Sequence, residues 1–297
     1  MNKINPGDIV GRKSYNCDVF FKVIEFFINE SGKNNAHLKG LNLRLWASAP
    51  EEDLVRIERS ELAKHLFEQT QKNKEQMKRI FNRRVREREM ILGRAVPKER
   101  GKAPGKTLVD GFDIPGTVLH IDGDSDYLDL CLTTYKQLSI PANGYCIDED
   151  KQPAKVQGLL NKHNPDLLVL TGHDGFIKGK LDFKDINNYY SSKYFVEAVK
   201  AARHYEKSRD DLVIFAGACQ SHYESILSAG ANFASSPQRV MIHAYDPVFV
   251  VEKISYTSIY DRISIKDIIA GTITGIDGIG GMETRGKFRM GIPLSPY

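Results

Sequence analysis

Along most of its length the chain alternates short apolar runs with amphipathic stretches. From Thr117 onward, the runs at 117–121, 144–147, 166–170, 211–216 and 240–244 predict strands, and the stretches 127–138, 156–163, 192–205 and 222–229 predict helices. Segment 249–256 is apolar throughout and fits either element. The tail predicts a flexible turn at Gly278-Ile279-Gly280-Gly281 and a last strand at 287–292. Strands and helices in alternation imply a mainly parallel sheet, covered by helices on both faces and joined by right-handed crossovers.

The first sixty residues have a different rhythm. Short strands at 7–14, 18–26, 36–41 and 43–47, separated by Asn, Gly and Ser, predict a small β-barrel of the SH3-like kind. Trp46, the one tryptophan, is expected in its core. Segment 60–92 carries helix formers and a narrow apolar stripe of Leu62, Leu66, Met77, Ile80, Phe81 and Val85. After Gly93 a Gly, Pro and Lys composition predicts that order fails. The expected organisation is a barrel at 1–59, a basic helical and flexible linker at 60–115, and an α/β unit at 116–297.

Two of the predicted strands end in reactive side chains. Asp166-Leu167-Leu168-Val169-Leu170-Thr171-Gly172 leads to His173, and Asp211-Leu212-Val213-Ile214-Phe215-Ala216-Gly217-Ala218 leads to Cys219. Four or five consecutive apolar residues bounded by Asp and Gly suit parallel strands buried on both faces. Their carboxyl ends are where an open α/β sheet collects its chemistry. If the strands are neighbours, His173 can hold Cys219 as a thiolate or take its proton, as a cysteine hydrolase requires. The separation, 219 − 173 = 46 residues, leaves room for one crossover helix and agrees with the caspase-type order, in which an Ala-Cys motif follows the histidine by roughly 50 residues. The sheet unit is therefore expected to be a caspase-like α/β/α sandwich.

Composition narrows the classes. The 297 residues suffice for two units with sizeable cores. No run approaches a membrane span, and the first residues lead into no secretory signal, so synthesis and residence in a cytoplasm are expected. Cys17, Cys131, Cys146 and Cys219 share no zinc-type spacing and are too sparse for a disulfide framework; no metal or other cofactor is expected. Cys131 and Cys146 fit core positions. Between Lys72 and Lys106, 13 Lys or Arg face 4 Asp or Glu, a net of +9, so the remainder of a chain totalling +4 sums to −5. Such a run suits an anionic surface or a solvated helix, but no interleaved aromatics suggest base stacking, and no specific nucleic-acid partner is expected. The glycines of the tail lack the strand-to-helix context of a phosphate loop.

The residues resemble the YabG sporulation-specific cysteine proteases of endospore-forming bacteria almost end to end. The likeness rests on Gly7-Asp8-Ile9-Val10-Gly11-Arg12-Lys13-Ser14-Tyr15, Val118-Leu119-His120-Ile121-Asp122-Gly123-Asp124, Leu170-Thr171-Gly172-His173-Asp174 and Phe215-Ala216-Gly217-Ala218-Cys219-Gln220-Ser221-His222. It continues through Ala229-Gly230-Ala231-Asn232-Phe233, Ile242-His243-Ala244 and Gly281-Met282-Glu283-Thr284-Arg285-Gly286. The resemblance implies an endopeptidase of the mother cell, later in the spore coat and cortex region. It would trim coat and cortex-associated proteins after basic residues, with His173 and Cys219 as the dyad. In caspases, clostripain and gingipains a glycine directly follows the histidine and lends an oxyanion amide; here Asp174 intervenes before Gly175.

The expected chemistry is acyl transfer. Cys219 attacks the scissile carbonyl, His173 protonates the leaving amine, and water hydrolyses the thioester. The oxyanion is expected on the amide of Cys219 plus that of Asp174 or Gly175. His120 and Asp122 end another strand on the same edge and are expected to line the substrate cleft; Asp122, Asp124 and Asp174 are candidates for the carboxylate that takes a basic side chain. No group orienting His173 is identifiable, and His222 is expected on a helix surface. Self-cleavage is expected in the connector, at Arg83, Arg84, Arg86, Arg88, Arg94 or Arg100. Two rivals remain: an amidotransferase-like hydrolase with a nucleophile elbow at Cys219, and a non-catalytic scaffold binding a spore polymer or nucleic acid.

Overall fold

A computed structural model describes residues 3–29, 31–95 and 111–291, with the backbone alone over 91–95. Strands β1 (Ile9–Arg12), β2 (Phe21–Ile28), β3 (Asn34–Gly40), β4 (Trp46–Pro50) and β5 (Leu54–Arg56) form one antiparallel sheet in the order β4-β3-β2-β1-β5. Val10, Phe21, Val23, Ala36, Leu38, Ala49 and Leu54 alternate inward and make its own small core. The strand expected at 43–47 begins only at Trp46, because residues 41–45 leave the sheet as a loop. Trp46 is not a core residue: it stays 42% exposed.

Helix α1 (Arg59–Ala95) follows. It is a packed element and not the solvated linker its charge suggested. Ile80 is buried in the core of the next unit, and the Gln76 side chain donates to the carbonyl of Gly271. Arg83 and Arg84 clasp Glu252, and the Arg84 guanidinium lies 3.2 Å from the centre of the Tyr256 ring. Two of the expected self-cleavage positions are thus locked in a docked helix. Residues 96–110 of the expected connector, Arg100 among them, lie outside the described residues.

The α/β unit runs β6 (Phe112–Ile114), β7 (Val118–Asp122), α2 (Ser125–Gln137), β8 (Ala142–Cys146), α3 (Gln152–His163), β9 (Leu167–Thr171), α4 (Ser192–Tyr205), β10 (Val213–Ala216), α5 (Tyr223–Ala229) and β11 (Phe233–Ser235). It closes with α6 (Asp246–Ser255), β12 (Arg262–Ile263), α7 (Ile265–Ile269), β13 (Ile279–Gly281), β14 (Thr284–Arg285) and β15 (Arg289–Gly291). Six strands form the main sheet in the order β13-β11-β10-β9-β7-β8, all parallel except β13. Helices α3, α4 and α5 bury Val156, Leu160, Phe195, Val199 and Ile226 on one face. Helices α2, α6 and α7, with Ile80 of α1, cover the other.

Three local expectations change. Residues 240–244 form no strand, and the fifth parallel strand is the shorter run at Phe233–Ser235. The glycine-rich turn is the antiparallel strand β13, against which β11 packs closely: a side chain at Gly281 would meet the Asn232 carbonyl oxygen at 2.4 Å. The ambiguous segment 249–256 lies mostly in helix α6, which Pro247 opens from its first turn. Cys131 is buried as expected, but Cys146 is exposed. No described helix is long and apolar enough to cross a membrane.

Candidate active site

Register decides where the reactive groups stand. Leu170 of β9 pairs with Ala216 of β10 on one side and with Ile121 of β7 on the other. Asp122, His173 and Cys219 therefore leave three neighbouring strands at the same carboxyl edge. The chain beyond β10 bends twice, at Gly217 with φ +112° and at Gln220 with φ +56°. The first conformation suits glycine alone, and the second is a strain that the surroundings must hold. The amide of Ala218 donates to Ser221 Oγ at 2.9 Å, and that of Gln220 to Ser236 Oγ at 3.0 Å, which fixes Cys219 at the tip of the turn.

Cys219 is 1% exposed. Its sulfur accepts the Ile242 amide at 3.3 Å and makes no hydrogen bond with His173. Burial pushes this thiol up to about 12, with the Ile242 amide and the Arg44 charge pulling the other way. In this arrangement it is a neutral thiol.

His173 is bracketed by two carboxylates that sequence reasoning did not assign to it. Asp124 Oδ2 lies 3.3 Å from Nε2, and Glu149 Oε1 lies 3.6 Å from Nδ1. The Asp124 contact is off the line of a hydrogen bond, so Nε2 is buried without a hydrogen-bond partner among the described residues. Glu149 also accepts the His173 amide at 2.5 Å. It reaches there because Gly123 and Gly172 flank its path: a Cβ at either would stand 2.2 or 2.1 Å from Oε1. No motif announces such a contact. Trp46 and Tyr127 place their rings 5.5 and 5.8 Å from the imidazole, so the antiparallel sheet contributes a wall.

The other expected residues separate into distinct roles. His120 is wholly buried between Tyr135 and the Thr171 hydroxyl, beneath the edge and beside Asp122; burial lowers its pKa. Asp122 is also wholly buried. Burial opposes its ionisation, but the Arg44 guanidinium and His120 outweigh it and hold the carboxyl well below the usual range. Asp124 caps α2 through the amides of Asp126 and Tyr127, and accepts from Lys39 Nζ at 2.6 Å. Asp174 faces inward: it accepts from the amides of Gly175 and Ser191 and the hydroxyls of Ser192 and Ser221. Burial raises its pKa against those four bonds. It braces the edge from within. Its grip on the Gly175 amide removes that group from the expected oxyanion donors, leaving the amides of Cys219 and Asp174. His222 is a buried cap of α5, with Nδ1 accepting from Ser225 and Nε2 against the Lys184 carbonyl. It is neither a surface residue nor a free base.

The profile described as YabG peptidase U57 matches residues 5–293. The sporulation-specific protease YabG of Bacillus subtilis (strain 168) is 42% identical over 289 residues, which cover 97% of each chain. No solved structure matches.

Proposed function

The chain belongs to the YabG peptidase U57 family, and from that premise we propose that it is a sporulation-associated cysteine endopeptidase with a dyad of Cys219 and His173. The observation that carries the reading is the pairing of β9 with β10, which brings these two residues, each three positions beyond the paired Leu170 and Ala216, to one edge. The strand order with its antiparallel last member supports a caspase-like sandwich, and the five-stranded antiparallel sheet supports an SH3-like barrel.

For chemistry the Cys219 sulfur turns from the Ile242 amide toward the substrate carbonyl while His173 takes its proton. The carbonyl carbon bonds to sulfur, and the oxyanion is held by the amides of Cys219 and Asp174. Each such donor is worth about 3–4 kcal/mol of barrier. The carbon–nitrogen bond then breaks as His173 protonates the leaving amine, and a water deprotonated by His173 hydrolyses the thioester. Asp124 and Glu149 steady the imidazolium that forms. Asp122, dry and ionised, suits a guanidinium, which favours cleavage after basic residues. The substrates are spore coat and cortex-associated proteins, met first in the mother cell and then in the coat and cortex region.

A peptide-library digest with purified protein tests class, nucleophile and specificity together. We expect cuts after Arg and Lys, lost by about 10⁴-fold or more in Cys219→Ala and in His173→Ala. Wild-type turnover in either variant overturns the dyad.

A further inference from the structure

Between β3 and β4 the chain leaves its own sheet and lies across the edge that holds Cys219. Leu43 forms an antiparallel bridge with His243. The Ala244 amide donates to the Asn42 carbonyl at 3.0 Å, and the Arg44 amide to the Ile242 carbonyl at 3.3 Å. This is how an extended peptide adds itself to an exposed backbone. The backbone it chooses is the one whose Ile242 amide sits on the Cys219 sulfur. From the other side the Tyr127 hydroxyl closes on the carbonyls of Gly40 and Leu43.

The side chain of Arg44 then descends beneath the edge. It is wholly buried, with Nη1 on Asp122 Oδ2 at 2.5 Å, Nη2 on the Cys131 sulfur at 3.3 Å and its charge over the Tyr127 ring. Its Nε has no hydrogen-bond partner among the described residues. Burying a guanidinium is costly, and a leucine would anchor a loop tip more cheaply. An arginine with one nitrogen unmet fits a pocket whose carboxylate serves another guanidinium.

We infer that residues 42–45 are an internal occupant of the substrate cleft, with Arg44 seated where the substrate's basic side chain goes and Asp122 as the carboxylate that selects it. The inference rests on the cysteine-peptidase reading above and adds its specificity residue and its latency. The occupant is held without being cut. The nitrogen that cleavage would release, the Leu45 amide, is folded back onto the Leu43 carbonyl at 2.7 Å, and Leu45 is tied to Gly40 at 2.8 Å. Register between Lys39 and Trp46 pins both sides of the bond. Substrate gains access when the tip lifts, so the rate scales with the open fraction.

Two measurements on the full chain test this. One is the rate at which iodoacetamide alkylates Cys219, read by peptide mass mapping with Cys146 as internal reference. The other is hydrolysis of a small arginyl-peptide amide. Arg44→Ala is expected to raise both by about tenfold or more, and added ethylguanidine to slow the alkylation again. Faster alkylation without hydrolysis supports the occupant while removing the peptidase reading. Hydrolysis and alkylation in folded Arg44→Ala equal to wild type overturn the occupant and leave the peptidase standing. Should Arg44→Ala fail to fold, Arg44→Met combined with Asp122→Asn removes both buried charges at once. Alkylation in that variant is expected to be faster, and an unchanged rate overturns the inference.

Discussion

Among the arginine–carboxylate contacts that tie the flanking elements to the α/β unit, the two whose carboxylate is buried are built differently. At the helix seam Arg83 and Arg84 share Glu252; the carboxylate is buried, but the arginine side chains keep 25% and 12% of their surface in water. Arg84 also donates to the Leu138 carbonyl at 2.8 Å and stacks on Tyr256. At the edge a single arginine meets a single carboxylate, and both are fully dry. The first is a docking contact between α1 and α6. The second joins the end of β7, next to the strands that carry the reactive residues, to a loop tip paired to the backbone beside the thiol. Charge complementarity alone does not separate fastening from function; dryness and position in the sheet do.

The largest expected effect separates the two seams by stability. Asp122→Ala leaves Arg44 buried and uncompensated and is expected to cost about 3–5 kcal/mol. Glu252→Ala is expected to cost about 1–3 kcal/mol, because its arginines can turn to water. Denaturant unfolding of both variants reads the difference, and a larger loss at Glu252 would reverse the comparison.

A second difference concerns rate. Glu149→Gln keeps the size of the group behind His173 but removes its charge, and is expected to lower kcat by about ten- to a hundredfold with KM little changed, as a positioning residue should. Glu252→Gln at the other seam is expected to keep kcat within about twofold. Equal losses would mean that both seams act on the site only through the fold.

How much of this was legible in the sequence follows from how local each signal is. Strand ends such as 166–173 and 211–219 are continuous apolar runs closed by glycine, so their burial, parallel pairing and shared edge could be read from pattern. Helix 192–205 was recovered to the residue, because Phe195, Ala198, Val199 and Ala202 make one stripe. The site's finer composition could not be read. Glu149 reaches His173 only through the space left by Gly123 and Gly172, a three-segment coincidence. Trp46 stands at the start of β4 and Arg44 on the loop before it, and their place depends on how the two sheets meet. Of the run 240–244, residues 242–244 meet residues 42–44 through one isolated antiparallel bridge and its flanking hydrogen bonds, and none joins the main sheet. The basic run of α1 read as solvated because its partners, Glu252 and the Tyr256 ring, lie well over a hundred residues away.

Acid should reveal the edge seam in steps of smaller size. Burial depresses His243 to about 4 from an ordinary 6.5, with the Lys72 and Arg44 charges adding to the effect. The unfolded chain takes up that proton first, so stability falls as pH drops from 6.5 toward 4. Asp122 titrates below its ordinary 3.8, so its contribution is complete above that value and is lost as pH falls further. Stability against pH for Arg44→Met with Asp122→Asn is expected to be flatter than wild type below about pH 4. Parallel curves would show that the pair carries no linkage.

The smallest effect concerns salt. Arg83→Met removes one of two guanidinium groups from Glu252 and breaks its contact with Glu87, both at the rim. A partly exposed pair of this kind is worth about 0.2–1 kcal/mol. Screening shortens from about 10 Å at 0.1 M salt to about 3 Å at 1 M, so the wild-type advantage over Arg83→Met should shrink across that range. Dry charges have no ions between them, and the gap between wild type and Asp122→Ala should hold steady. Salt titration of both variants by chemical unfolding makes the contrast measurable. If the Asp122 gap also closed with salt, water and ions would be reaching the pocket, and the tip carrying Arg44 would be open in solution for much of the time.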